Sequence, residues 1–146
     1  GAGKRSNLLV QHTDISALVL EMAGVEPNSP IDGISFWKAA VEACAEERGD
    51  GEPIRDHVTV GWGSAMTVID ENWWMNCKIN GKGVFLYDVN ADKPFENNVA
   101  NANGDVVRKL FQKGVADAGG EFPDFLVKMA EGQADAPGCS DLAARE

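Results

Sequence analysis

Apolar and polar positions along the chain change period once, near its first third. Ile15, Leu18, Val19 and Met22 recur at helical spacing, which predicts an amphipathic helix over 14–23. Asp14 or Thr13 can cap its start, and Gly24 stands where a left-handed residue ends a helix. Pro27, Pro30 and Gly33 mark a loop, and a second, weaker helix is expected over 36–48 on Trp37, Ala40, Val41 and Cys44. The charged, glycine-bearing run 46–53 is the best internal boundary.

Beyond it the period becomes that of a strand. Val58, Val60 and Trp62 alternate, then Met66 and Val68, then Trp73, Met75, Cys77 and Ile79. Asp70-Glu71-Asn72 predicts one turn, and Asn80-Gly81-Lys82-Gly83 predicts a hairpin into a fourth strand over 84–89. Connections this short favour an antiparallel meander, since parallel neighbours need long crossovers. A helix over 105–116, apolar through Val106, Val107, Leu110 and Phe111, can cover one face of the sheet. A further helix over 121–131 would use Phe122, Phe125, Leu126 and Met129, and 132–146 reads as a small, polar, mobile tail.

The fourth strand ends in Leu86-Tyr87-Asp88-Val89, followed by Asp92 and Asn98-Val99-Ala100. This run resembles the L-Y-D-L, D-P-x-E, N-L-A segment of sulfatases. Upstream, Asp14 to Ala23-Gly24 and Asp32-Gly33-Ile34-Ser35-Phe36 resemble, in order and approximate spacing, that family's D-x-x-P-T-x-L-x-x-A-G and D-G-x-S-L segments. Ala17-Leu18 replaces the usual Pro-Thr, and Pro94 and Glu96 each sit one place late.

The resemblance implies the carboxyl-terminal part of an α/β alkaline phosphatase-like fold. Residues 1–48 would end its large domain, 54–131 would form a small α+β subdomain with a four-stranded antiparallel sheet and a carboxyl-terminal helix, and 132–146 would be the tail. It also implies that the stretch from Leu8 to Met22 packs on a sheet lying mostly outside this chain, leaving apolar surface uncovered. The parent would be a hydrolase of sulfuric esters acting on a small-molecule or carbohydrate sulfate, with formylglycine as nucleophile and calcium as cofactor. Phosphodiesterases and phosphonate monoester hydrolases share this tail, so the ester stays open.

The family's nucleophile motif, C-x-P-S-R, is absent: Cys44, Cys77 and Cys139 each lie in other contexts. Its calcium ligands are absent too, so the catalytic amino-terminal portion is expected to precede Gly1. Asp56-His57 has the letters of one ligand pair but follows the D-G-x-S segment instead of preceding it. This chain alone is expected to be inactive, with no catalytic residue, metal ligand or cofactor of its own. A free-standing, non-catalytic α+β binding module is the alternative from another class.

Three residues are candidates for contact with substrate. Lys78 matches a lysine often found in the family's penultimate strand and could meet an anionic group, although a lysine across the pleat from Cys77 ordinarily faces solvent. Trp74 falls opposite Trp73 and is the tryptophan expected to be exposed for stacking, whereas Trp62 and Trp73 fall on the core side of their strands. His57, beside Arg55 and Asp56, is a candidate for the pocket rim or for plain structural packing. His12 and Asp14 form an H-x-D pair that reads more simply as packing and a helix cap. Asp88 and Asp92 are expected to order their loop through backbone hydrogen bonds, and Tyr87 to pack beneath the loop running to Asn98.

Composition narrows the partners. The 146 residues suffice for one ordinary domain, and 13 basic against 23 acidic residues give a net charge of −10. That balance opposes binding to nucleic acid or an anionic membrane. No apolar run approaches the length of a transmembrane helix. Three widely spaced cysteines without a C-x-x-C pair do not suggest zinc or redox work; one disulfide can form among them, and three buried or idle thiols are the favoured reading. Location stays open, a bacterial periplasmic or secreted parent being compatible with the resemblance.

Overall fold

The computed structural model describes residues 6–45 and 53–132. It divides into two compact units, with the boundary between Val58 and Thr59. The predicted boundary run lies largely outside the described residues, as do the tail from residue 133, Cys139 and the side chain of Cys44.

The first unit is built around helix α1 (His12–Ala23) and helix α2 (Trp37–Ala45). Neither Thr13 nor Asp14 is the cap of α1. Gln11 is, and Asp14 closes a capping box by accepting the Gln11 backbone N–H at 2.8 Å. Gly24 ends the helix with φ of 64°, and the Val25 N–H reaches back to the Leu20 carbonyl at 3.0 Å. Asp14 and Ala17 face inward, while Ile15, Val19 and Met22 are 52, 57 and 60% exposed. Of the apolar stripe seen in the sequence, Leu18 is half-buried and the other three residues are uncovered. On α2 the inward residue is Ala39; Trp37 and Val41, expected to pack, are exposed.

The second unit is α+β. Four strands, β1 (Val58–Trp62), β2 (Ala65–Ile69), β3 (Trp73–Lys78) and β4 (Phe85–Asp88), form an antiparallel sheet in sequence order. Gly63-Ser64 joins β1 to β2, with Gly63 at φ of 56°. Asp70 sets the next turn, its Oδ1 accepting the N–H groups of Asn72 and Trp73 at 2.9 and 2.8 Å. Register pairs Met66 with Cys77, Val68 with Met75, and Met75 with Leu86. Because side chains alternate across a strand, these residues share one face.

Helix α3 (Gly104–Asp117) and helix α4 (Asp124–Gly132) cover that face. Leu110 and Ala130 join Met66, Val68, Met75, Cys77, Ile79 and Leu86 in the buried core. α3 approaches β2 closely because it presents Gly114 there; a Cβ at that position would lie 2.7 Å from the Met66 sulfur. α4 starts three residues later than expected and turns differently. Phe122, Leu126, Val127 and Ala130 pack on the core, while Phe125 and Met129 point outward.

Candidate functional site

Two polar arrangements order the backbone at the segments that carry the resemblance. In the first unit Asp14 is fully buried. Besides the Gln11 N–H, it accepts the Ile34 N–H at 2.9 Å and a hydrogen bond from the Arg55 guanidinium. Arg55 is itself 12% exposed in its side chain, so the ion pair is largely removed from water. The neighbouring loop comes so near that a Cβ on Gly33 would lie 2.1 Å from the Thr13 carbonyl oxygen. Asp14 and Gly33 therefore act as a clasp between the start of α1 and the loop before α2. His12, its would-be partner in an H-x-D pair, is exposed on the first turn of α1.

In the second unit the loop after β4 is held the same way. Asp88 Oδ1 accepts the N–H groups of Asn90 and Ala91, both at 2.9 Å. Asp92, also buried, accepts those of Glu96 and Asn97 at 3.2 and 2.8 Å. Asn98 binds the outer edge of β4: its Oδ1 accepts the Leu86 N–H at 3.0 Å and its Nδ2 donates to the Val84 carbonyl at 3.1 Å. This side-chain amide, with Val99 N–H on the Leu86 carbonyl at 2.9 Å, satisfies an edge that would otherwise offer unpaired groups. Both aspartates order backbone, as the sequence suggested.

The face of the sheet turned away from α3 and α4 carries two of the three candidate contact residues. Trp74 and Lys78 sit on the same side of β3, with Asn76 between them. Trp74 is only half-exposed, because Tyr87 and Phe95 pack on it with ring centroids 5.6 and 5.8 Å away. Phe95 belongs to the loop over β4 and reaches this cluster with φ of 58°, an unusual value for a side chain of its size. Lys78 pairs with Ala65 across the strands and is half-buried. His57 lies in the first unit, its Nδ1 2.5 Å from an Asp56 carboxylate oxygen.

Trp62 overturns the expected arrangement. It is 86% exposed, the most open tryptophan of the chain's described residues, and contributes nothing to the core. On β1 the side turned toward the helices carries Thr59 and Gly61 instead. Those residues are too small to reach α4, and they leave a cleft of about 380 Å³ floored by Met66 and Ile79 and walled by Gly114, Phe122 and Leu126. The hydroxyl of Thr59 is buried without a hydrogen-bond partner among the described residues. Nothing in the alternation of β1 announced this gap, since Val58, Val60 and Trp62 were the residues that looked like core, and of these Val58 alone is buried.

The chemistry available is limited. Cys77 is buried, and its burial pushes the thiol up to about 11, so it is a poor nucleophile. Because the folded state holds that proton more tightly than a free thiol with a pKa of 9.0, its contribution to stability is complete below pH 9 and is lost as pH rises toward 11. Chemical denaturation between these pH values should show a falling stability that Cys77→Ala flattens; identical slopes would contradict the assignment. Among the described residues no three His, Cys, Asp or Glu side chains gather to hold a metal ion. No described helix is long and apolar enough to cross a membrane. No protein-family model matches the chain, and neither does any curated protein.

Proposed function

We propose that the chain is the carboxyl-terminal part of a sulfatase-like hydrolase of the alkaline phosphatase-like fold, closing that fold and shaping one side of its pocket. One observation carries the reading. The residues that bear the resemblance, Asp14 and Gly33 in one unit and Asp88, Asp92 and Asn98 in the other, are those that fix the backbone where segments meet. Their role is architectural, which accords with a segment whose catalytic portion lies elsewhere. The uncovered stripe of Ile15, Val19 and Met22 supports the same view, since an apolar helix face of that size is normally packed against another layer.

Sulfuric ester hydrolysis would then be the work of the upstream portion, with a carbohydrate or small-molecule sulfate as substrate. A divalent cation such as calcium supplies charge neutralisation on the ester oxygens in such chemistry. The residues described here do not form its site, and no step is assigned to them. Trp74 and Lys78 would border the pocket through the sheet face they share.

Purified chain is expected to give no turnover of an aryl sulfate above a buffer blank, with or without calcium; turnover free of a contaminating sulfatase would place an active site within these residues. The identity of the parent is tested by its coding sequence. An upstream reading frame containing neither C-x-P-S-R nor S-x-P-S-R would remove the sulfatase reading. Comparison of sulfate, phosphate and phosphonate esters with the full-length parent would then separate the esterases that share this tail. A free-standing binding module is the second reading, favoured by the open aromatic residues on the outer sheet face.

A further inference from the structure

We propose that the end of the outer sheet face bearing Trp62 and Lys78 binds an acidic saccharide, the indole taking the sugar ring and the lysine its anionic substituent. The two-residue turn Gly63-Ser64 sets Trp62 beside Ala65, and register sets Ala65 beside Lys78. Adjacent strands are about 4.8 Å apart, so tryptophan and lysine stand roughly 10 Å from each other with only a methyl group between them. The result is a shallow floor with an aromatic plate at one side and an ammonium at the other. A pyranose and its charged substituent bridge such a span.

Charge favours an anion here although the chain as a whole carries −10. From residue 57 to 69 there is no charged Asp, Glu, Lys or Arg, and from 76 to 86 the charged residues are Lys78 and Lys82. The acidic residues of the sheet, Asp70, Glu71 and Asp88, all belong to its opposite end, and Asp117 lines the cleft on the helix side. Lys78 is held ready: its stem is half-buried along the sheet, and its ammonium makes no hydrogen bond or ion pair among the described residues. Trp62 offers nearly its whole indole, in contrast to Trp74, whose neighbours are Tyr87 and Phe95. A wholly apolar partner would leave the Lys78 ammonium desolvated and unpaired, which is costly. A saccharide with an acidic group satisfies both halves, because sugar C–H faces stack on aromatic rings while the acid pairs with the amine.

The proposal is independent of the parent's catalytic activity and is tested on the chain itself. Nuclear magnetic resonance titration would use methyl glucuronide, glucose 6-sulfate and glucose, following the Trp62 indole N–H where it is present and the backbone N–H groups of Ala65 and Lys78 in the parent and in every variant. Both acidic sugars are expected to shift that signal and to bind more tightly than glucose, by about tenfold, the equivalent of one charge-assisted contact. Preference for one acid over the other identifies which anionic group the site takes. Trp62→Ala should abolish the response to all three sugars, Trp62→Phe should retain it, and Lys78→Met should reduce the acidic sugars to the affinity of glucose. Since Trp62 lies outside the core, its variants should remain folded. Equal binding of glucose, unchanged binding by Lys78→Met, an undiminished response of the Ala65 and Lys78 amides in Trp62→Ala, or no movement of any of these signals in the parent would overturn the proposal.

Discussion

Asp14→Ala is expected to cost the first unit about 3–5 kcal/mol, the scale for breaking a buried ion pair from one side. The substitution leaves the Arg55 guanidinium confined with 12% exposure and no counter-charge. It also strips the Gln11 and Ile34 N–H groups of their acceptor. Since whole domains are stable by only about 5–15 kcal/mol, α1 should lose most of its protection against amide hydrogen exchange. Arg55→Met in the same background should recover part of the loss, because it removes the stranded charge. Gly33→Ala should act on the same clasp by another route, as its Cβ would overlap the Thr13 carbonyl. Gly24→Ala offers the control: the space around it is open, and only the left-handed backbone is strained, at a cost of about 1 kcal/mol. If exchange of α1 amides is as slow in Asp14→Ala as in the parent, the clasp does not hold this unit together.

This clasp also marks the limit of what the sequence discloses. The apolar repeat of α1 and the glycine that ends it are local signals, and both elements follow from them. Arg55 lies 41 residues from Asp14 and gives no local sign of its partner, so a charged residue beside His57 reads as ordinary surface until the fold brings it in. The meander was legible for a related reason: turn residues Asp70 and Gly81 and alternation in β3 act over short distances. Which side of β1 would be covered was not. Alternation defines two faces of a strand, but the choice of covered face belongs to the helices, and α3 and α4 lie over Thr59 and Gly61. That choice exposes Trp62 and opens the cleft, so the features most relevant to binding were the least visible. In α4 the apolar residues exceed what one face can bury, and Leu126, Val127 and Ala130 are selected by the start of the helix at Asp124.

Leu86→Ala is expected to be the most damaging substitution in the second unit, at about 2–5 kcal/mol. Leu86 is fully buried at the centre of β4, opposite Met75, in the cluster closed by Leu110. Its backbone is fixed from outside by Asn98 and Val99, so the strand cannot shift inward to fill the space left behind. A rigid wall makes the cavity term large. Tyr87 was expected to pack beneath the loop running to Asn98, and its ring does meet that loop, through Phe95 at a centroid distance of 5.6 Å. It is nevertheless half-exposed on the outer face, so Tyr87→Ala should cost less, about 1–2 kcal/mol from lost aromatic packing. Lys78→Ala should stay within about 0.5 kcal/mol of the parent, as its ammonium has no partner to lose. Denaturant midpoints at constant slope give this order directly. A loss for Tyr87→Ala equal to that for Leu86→Ala would mean that the outer face is packed in solution, with the aromatic cluster buried beneath another layer.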